Sequence, residues 1–290
     1  KIYKNISHAF YNEVVYISDN IGYLYALNSI TGEVIWKINY GIPFKSHINL
    51  FDKKIYLIDQ ENKIICFDTK EGKVIWESET GKSFIKSQSY LALALSKKKH
   101  TYSINSSGDL NKMSSKDGRS IWSIPTLNSL VDYESDFFET SNIVIDENKI
   151  FFSNTTSNTY SVDIENGFLN WQNEAKSSIT PIVSGKNVFV LTNNGYLVNI
   201  DKESGEIIWS VYILEKIKFK KSKKNIISGF VLGSEKIYAT TTNGYLIVCS
   251  AESGKVISYK KIANKINSSP IISNGMLYIL TGNSKIIAFK

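Results

Sequence analysis

The chain has 290 residues, and few of their side chains suit general acid–base, nucleophilic or metal chemistry: three histidines, two cysteines and 27 acids. His8, His47 and His100 stand far apart, each at the start of an apolar run. Two ring nitrogens at helical spacing beside a glutamate would read as a zinc site, and a glycine-flanked serine as a nucleophile, but neither pattern occurs. There is no CxxC pair and no P-loop. Cys66 and Cys249 lie inside apolar runs, at different offsets from the next turn residue, so they read as small buried hydrophobes rather than as a disulfide or metal pair. The acids Asp68, Asp163 and Asp201 invite a carboxylate-pair reading. Their regular spacing instead gives each its own turn in a separate repeat. The sequence therefore predicts no catalytic residue, no metal site, no cofactor and no enzyme activity.

The repeat that spaces those acids is the dominant feature of the chain. Each tryptophan follows a glycine by four residues: Gly32 and Trp36, Gly72 and Trp76, Gly118 and Trp122, Gly167 and Trp171, Gly205 and Trp209. In a sixth copy Ser258 stands four residues after Gly254. Four residues before each glycine is a short polar side chain: Asn28, Asp68, Ser114, Asp163, Asp201 or Ser250. Within one copy, 14–18 and 23–28 are β-branched and aromatic runs, and 33–38 is a third run ending near Trp36. Gly/Asn/Asp clusters separate them, as hairpin turns require. Short strands precede most copies, as at 178–183 and 268–273. Tandem four-stranded units with a period near forty residues predict an all-β fold, a single β-propeller of four-stranded blades. Trp36, Trp76, Trp122, Trp171 and Trp209 are expected to dock each blade on the next.

Seven units are present. The last, ending at Lys290, lacks its outer strand, and residues 1–5 are expected to supply it by pairing with the blade at 267–290. That closes the ring within one domain, 1–290, and leaves no free sheet edge. No signal peptide is read at the start, where the chain is expected to be already inside the fold and so processed or trimmed, and no apolar run is long enough for a spanning helix.

The formal net charge is +7, yet of 34 basic residues only Arg119 is arginine. Readers of nucleic acid favour arginine for bidentate contacts, so the charge reads as compositional bias and nucleic acid is not expected as a partner. The densest run, at 216–224, has six lysines and reads as a solvated loop, with anionic lipid headgroups as the alternative.

The repeat resembles the PQQ-like propeller repeat, roughly Ala-x-Asp-x-x-x-Gly-x-x-x-Trp, read here as Ala26, Asn28, Gly32 and Trp36. One branch of such proteins is the quinoprotein dehydrogenases, which carry a quinone and Ca²⁺ on the propeller axis over a pair of adjacent cysteines. This chain has no adjacent cysteine pair. The chain more closely resembles the BamB-type outer-membrane protein assembly factors. The resemblance rests on the opening IYKNISHAFYNEVVYISDNIGYLYALNSITGEVIW, on the long acidic insertion SIPTLNSLVDYESDFFETSNIVID after Trp122, and on the Trp-less penultimate repeat with its short terminal strand. Family members usually have eight blades, and one unit between Trp76 and Trp122 is missing here.

The resemblance implies a non-catalytic scaffold at the periplasmic face of the bacterial outer membrane. It implies a monomer, attached to the membrane only through a lipid anchor outside this chain. The implied partners are the POTRA domains of the barrel-inserting subunit, with unfolded outer-membrane proteins as a second class held along strand edges. Two inter-blade loops would dock the POTRA domains, at about 83–88 and 132–140. The first carries Phe84 and Ile85 as apolar anchors and Lys86 in the family's basic position. The second carries Asp136 and Glu139 as acidic contacts beside Phe137 and Phe138. The residues agree in part: apolar rings among four acids suit a small protein interface. A periplasmic propeller with another protein partner is the alternative.

Overall fold

The computed structural model describes residues 6–81, 89–127, 139–217 and 226–290. All regular structure among them is β, in 27 strands. Seven antiparallel sheets follow one another, each a meander in chain order. The first comprises β1 (Ile6–Tyr11), β2 (Val14–Asp19), β3 (Tyr23–Asn28) and β4 (Val34–Asn39). The second comprises β5 (Asn49–Phe51), β6 (Lys54–Ile58), β7 (Lys63–Asp68) and β8 (Val74–Glu79), and the third β9 (Ala92–Leu95), β10 (His100–Ile104), β11 (Asp109–Ser114) and β12 (Ser120–Pro125). The fourth comprises β13 (Val144–Asp146), β14 (Lys149–Ser153), β15 (Thr159–Asp163) and β16 (Leu169–Asn173). The fifth comprises β17 (Ile182–Ser184), β18 (Asn187–Leu191), β19 (Tyr196–Asp201) and β20 (Ile207–Tyr212). The sixth comprises β21 (Ile227–Gly233), β22 (Lys236–Thr241), β23 (Tyr245–Ser250) and β24 (Val256–Lys261). The last has three strands among the described residues: β25 (Ile271–Ser273), β26 (Met276–Leu280) and β27 (Ile286–Phe289). These are the blades of a seven-bladed β-propeller. Residues 1–5, expected to complete the seventh, lie outside the described residues.

The chain forms two compact units, one of residues 1–148 and 164–168, the other of 149–163 and 169–290. In the first, the inward faces of β2, β3, β6 and β7 meet in a core of Tyr16, Leu24, Ala26, Phe44, Ile55 and Phe67. A second core, with Tyr56, Cys66, Trp76 and Met113, joins the second and third sheets. In the second unit, Phe189, Leu197, Phe230, Ile237, Ile247 and Cys249 fill the space between the fifth and sixth sheets. Leu246, Ile266, Leu277 and Ile279 fill the space between the sixth and seventh.

Turn chemistry fixes the strands' register. Asn28 Oδ1 accepts the N–H groups of Ile30 and Thr31, both at 2.9 Å, and Asp68 accepts those of Lys70, Glu71 and Lys73. The glycine four residues on closes the turn, its N–H donating back to the carbonyl of Asn28, Ser114, Asp201 or Ser250 at 2.9 Å. The first strands of the later blades are shorter than the sequence indicates: Ile182–Ser184 and Ile271–Ser273 instead of 178–183 and 268–273. Pro181 and Pro270 offer no N–H to a ladder, and Ser177 and Ser178 are taken up in a turn with Ile179 and Asn193.

Candidate functional site

The chain leaves β8 along a fixed path as far as Gly81. Thr80 Oγ1 donates to the Asn62 carbonyl at 2.6 Å, and Asn105 Nδ2 donates to the Thr80 carbonyl at 2.7 Å. Gly81 follows at φ +128°, where a Cβ would stand 3.1 Å from that amide, so the exit requires glycine. The chain re-enters the described structure at Ser89. Tyr90 then packs edge-on against His47, ring centroids 4.7 Å apart, and the Leu91 N–H reaches the Lys45 carbonyl at 2.6 Å.

The second loop leaves β12 in the same manner. Thr126 Oγ1 donates to the Gly108 carbonyl at 2.5 Å, and Leu127 lies over Gly108, whose Cβ would come within 2.7 Å of it. The loop returns at Glu139, and the buried Ser141 and Ile143 lead into β13. The two return points meet: Ser89 Oγ donates to Glu139 Oε1 at 3.0 Å. Glu139 is thus the one predicted contact residue among the described residues, and it links the ends of both loops. Phe84, Ile85, Lys86, Asp136, Phe137 and Phe138 lie outside the described residues.

Beneath the loop exits is a buried polar lattice. Asn62 Nδ2 donates to Ser106 Oγ at 2.8 Å, and Asn62 Oδ1 accepts the Ser106 N–H at 3.0 Å, tying the hairpin tips of the second and third blades together. Asp59 and Asp109 sit in this layer, and burial raises both carboxyls above the usual carboxylate range. Asp59 Oδ2 is buried without a partner. Burial likewise lowers His47, with the charge of His8 acting in the same direction. The lattice can hold the loop exits in register. It offers no nucleophile paired with a base, and among the described residues no group of three or more His, Cys, Asp or Glu is placed to hold a metal ion.

The tryptophans lie at the seams between blades. Trp36, Trp76, Trp122 and Trp171 each donate Nε1–H to a turn carbonyl of the following repeat, those of Thr69, Ser115, Glu165 and Lys202, at 2.9–3.2 Å. Each ring rests on that repeat's glycine. A Cβ on Gly72, Gly118, Gly167 or Gly205 would come 2.6–3.1 Å from the indole. Trp209 rests on Gly254 in the same way, but its Nε1 is buried without a partner. Cys66 and Cys249 are free and buried, which pushes their thiols up to about 11 and about 12. Of the lysine run at 216–224, Lys216 is described and its ammonium lies 5.8 Å from the Tyr259 ring centroid; residues 218–224 lie outside the described residues.

Sequence reasoning missed two features. One is a second repeated cap, at the β2–β3 type hairpins. Asp19, Asp59 and Asn105 accept backbone N–H groups there through side-chain carbonyl or carboxylate oxygens, and Thr192, Thr241 and Thr281 through hydroxyls. Its signal was present: each lies four residues before a residue whose N–H it accepts, and that residue opens the next strand in every case but Thr281, where the strand starts one residue later. The other is Lys112, whose buried ammonium donates to the Ile164 carbonyl at 2.8 Å and meets Glu165 Oε2 at 3.1 Å. Lys98 takes the other carboxylate oxygen at 2.6 Å. Hydrogen bonds from Lys98 and then Lys112 hold the Glu165 carboxyl down to about 2.

The fold has solved counterparts. BamB from Moraxella catarrhalis superposes with a TM-score of 0.79 at 15% identity, over 95% of this chain and 81% of that one. A europium-containing methanol dehydrogenase gives 0.72 at 12% identity, over 97% and 72% of the two chains. The computationally designed Ika8 protein gives 0.61 at 12% identity, over 98% and 95%. At such identities the likeness is one of fold. No curated protein sequence matches the chain. A family model, however, matches residues 4–211 and 217–290, nearly the whole length, and by it the chain belongs to the outer membrane protein assembly factor BamB family.

Proposed function

We propose that this protein is a non-catalytic scaffold of the outer-membrane β-barrel assembly machinery, acting at the periplasmic face of the outer membrane. The loops at 83–88 and 132–140 dock POTRA domains of the barrel-inserting subunit. Phe84 and Ile85 supply the apolar contact and Lys86 a point charge. Asp136 and Glu139 supply the acidic contacts beside Phe137 and Phe138. The observation that carries the reading is the Ser89–Glu139 hydrogen bond, which sets the ends of two loops fifty residues apart side by side on rigid blades.

The test is binding of the whole chain to the POTRA segment of the same organism's barrel-assembly protein. Phe84→Ala/Ile85→Ala and Asp136→Ala/Glu139→Ala should each weaken binding at least tenfold while the fold persists. Full binding by both variants would remove these loops from the interface.

The methanol dehydrogenase likeness raises a quinone-dependent reading, and the residues do not fit it. The sequence has no adjacent cysteine pair, and the described residues gather no cluster of metal-ligating side chains.

A further inference from the structure

The seam between the sixth and seventh blades opens into a groove of about 610 Å³. One wall is the segment leaving β24, with Lys261, Asn264 and Lys265. The other is the β26–β27 hairpin, with Asn283 and Lys285. Three lysines line it and no acid does. Among the described residues none of these lysines forms a salt bridge. Like charges gathered without a counter-charge repel one another, and an anion in the groove removes that cost.

The groove is shaped as well as charged. The Lys261 ammonium is steadied by the Asn243 carbonyl and by the Tyr245 ring, 4.7 Å from its centroid. The stem of Lys265 lies across Gly282, where a Cβ would stand 2.9 Å from the lysine Cβ, so only a bare backbone lets that side chain lie there. Thr281 Oγ1 lies 2.6 Å from Asn283 Oδ1 and accepts the Lys285 N–H at 3.1 Å, which fixes the hairpin tip; among the described residues the Asn283 amide N–H groups have no partner. Ile262 and Ile287 form an apolar floor. The equivalent groove two repeats earlier, about 500 Å³ beside the Thr192 hairpin, sets Glu174 next to Lys176 and so carries no such excess.

We propose that the Lys261/Lys265/Lys285 groove binds a phosphoryl group. Several lysine point charges with amide donors match an anion that presents several acceptor oxygens. A free phosphate and the headgroup of an anionic lipid share this chemistry, and the test separates them.

The isotopically labelled whole chain is titrated with inorganic phosphate, at constant ionic strength held with chloride, while the Gly282 and Asn283 amide resonances are followed. In parallel it is sedimented with vesicles of phosphatidylglycerol in phosphatidylcholine and with phosphatidylcholine alone. Lys265→Gln/Lys285→Gln and the control Lys176→Gln are run beside it; all three residues are on the surface or at a groove lip, so the fold should survive. Saturating shifts at Gly282 and Asn283, lost at least tenfold in affinity in the double variant and kept in the control, support the site with a soluble ligand. Sedimentation with the anionic vesicles alone, lost in the double variant, supports it with a lipid source. No response in either arm, or one that the double variant retains, overturns the proposal.

Discussion

Two seams, one in each compact unit, use the same rings at the same distances and close differently. Between the first and second blades, Tyr16 and Trp36 have ring centroids 6.0 Å apart at 44°; between the fifth and sixth, Phe189 and Trp209 have the same separation and the same angle. Gly72 and Gly254, on which the indoles rest, share φ +69°. In the first seam the Tyr16 hydroxyl and Trp36 Nε1 both donate to the Thr69 carbonyl, at 3.3 and 3.2 Å. In the other, Phe189 has no hydroxyl and Trp209 Nε1 has no partner. The grooves flanking the two seams have about 190 and 660 Å³. Ring placement is thus the same whether or not the indole and its neighbouring ring find a turn carbonyl.

The largest expected effect tests what the seams share. Trp36→Ala and Trp209→Ala each remove a ring packed on a glycine, and each should cost about 3–5 kcal/mol in denaturant unfolding. A cost below about 1 kcal/mol at either would break the reading that the indoles hold blade to blade. Next come Gly72→Ala and Gly254→Ala, which force a Cβ to within 2.7 and 2.6 Å of the indole at a positive φ. Each should cost about 1–3 kcal/mol, and by nearly the same amount, because backbone and overlap are alike.

The sharper test isolates the hydrogen bond. Trp→Phe removes the N–H together with some ring area at both seams, so the difference between the two losses reports the N–H alone. Trp36→Phe should cost about 0.5–1.5 kcal/mol more than Trp209→Phe, since the first breaks a made bond and the second removes a buried donor that has none. Tyr16→Phe should lose about 0.5–1.5 kcal/mol by the same argument. Equal losses for the two tryptophans would mean that Trp209 finds an acceptor in solution.

This contrast marks how far the sequence could be read. The glycine–tryptophan period marked out the blades, because a ring stacked on a Cβ-free turn must recur with the repeat, and the half-copy ending at Lys290 brought the count to seven. The turn residues Asn28, Asp68 and Asp201 were legible for the same reason, their partners lying within five residues. Whether a given indole finds a carbonyl was not legible, since the identical Gly–x–x–x–Trp string precedes Trp36, which has an acceptor, and Trp209, which has none. The Ser89–Glu139 pair was hidden similarly: it joins residues fifty apart through the return angles of two loops. Lys112 occupies the strand position opposite the tryptophan that Ala26, Cys66, Ser161 and Asn199 hold in the other blades, where nothing in the repeat points to a long charged side chain.

A third tryptophan contact, within the first unit, is reinforced by charge and gives the smallest effect. There Trp122 Nε1 donates to the Glu165 carbonyl at 3.0 Å while the Glu165 carboxylate accepts from Lys112 and Lys98. With its folded-state carboxyl held down to about 2, against about 4.5 for the free side chain, Glu165 adds stability that is fully present above the higher value. That contribution is lost as pH falls from there toward 2. Because the Glu165 side chain is half exposed, solvent screens the pair, and the contribution is about 1 kcal/mol or less. Glu165→Gln should remove this component of the pH dependence and also leave the buried Lys112 ammonium without its counter-charge, on the backbone carbonyls of residues 164 and 165. Lys112→Met should remove part of the same component, Lys98 remaining, while sparing the Trp122 bond. Unfolding curves at pH 3 and pH 7 for these two variants and the wild type check it: a wild-type pH difference preserved in Glu165→Gln would show that carboxylates other than this one carry the acid sensitivity.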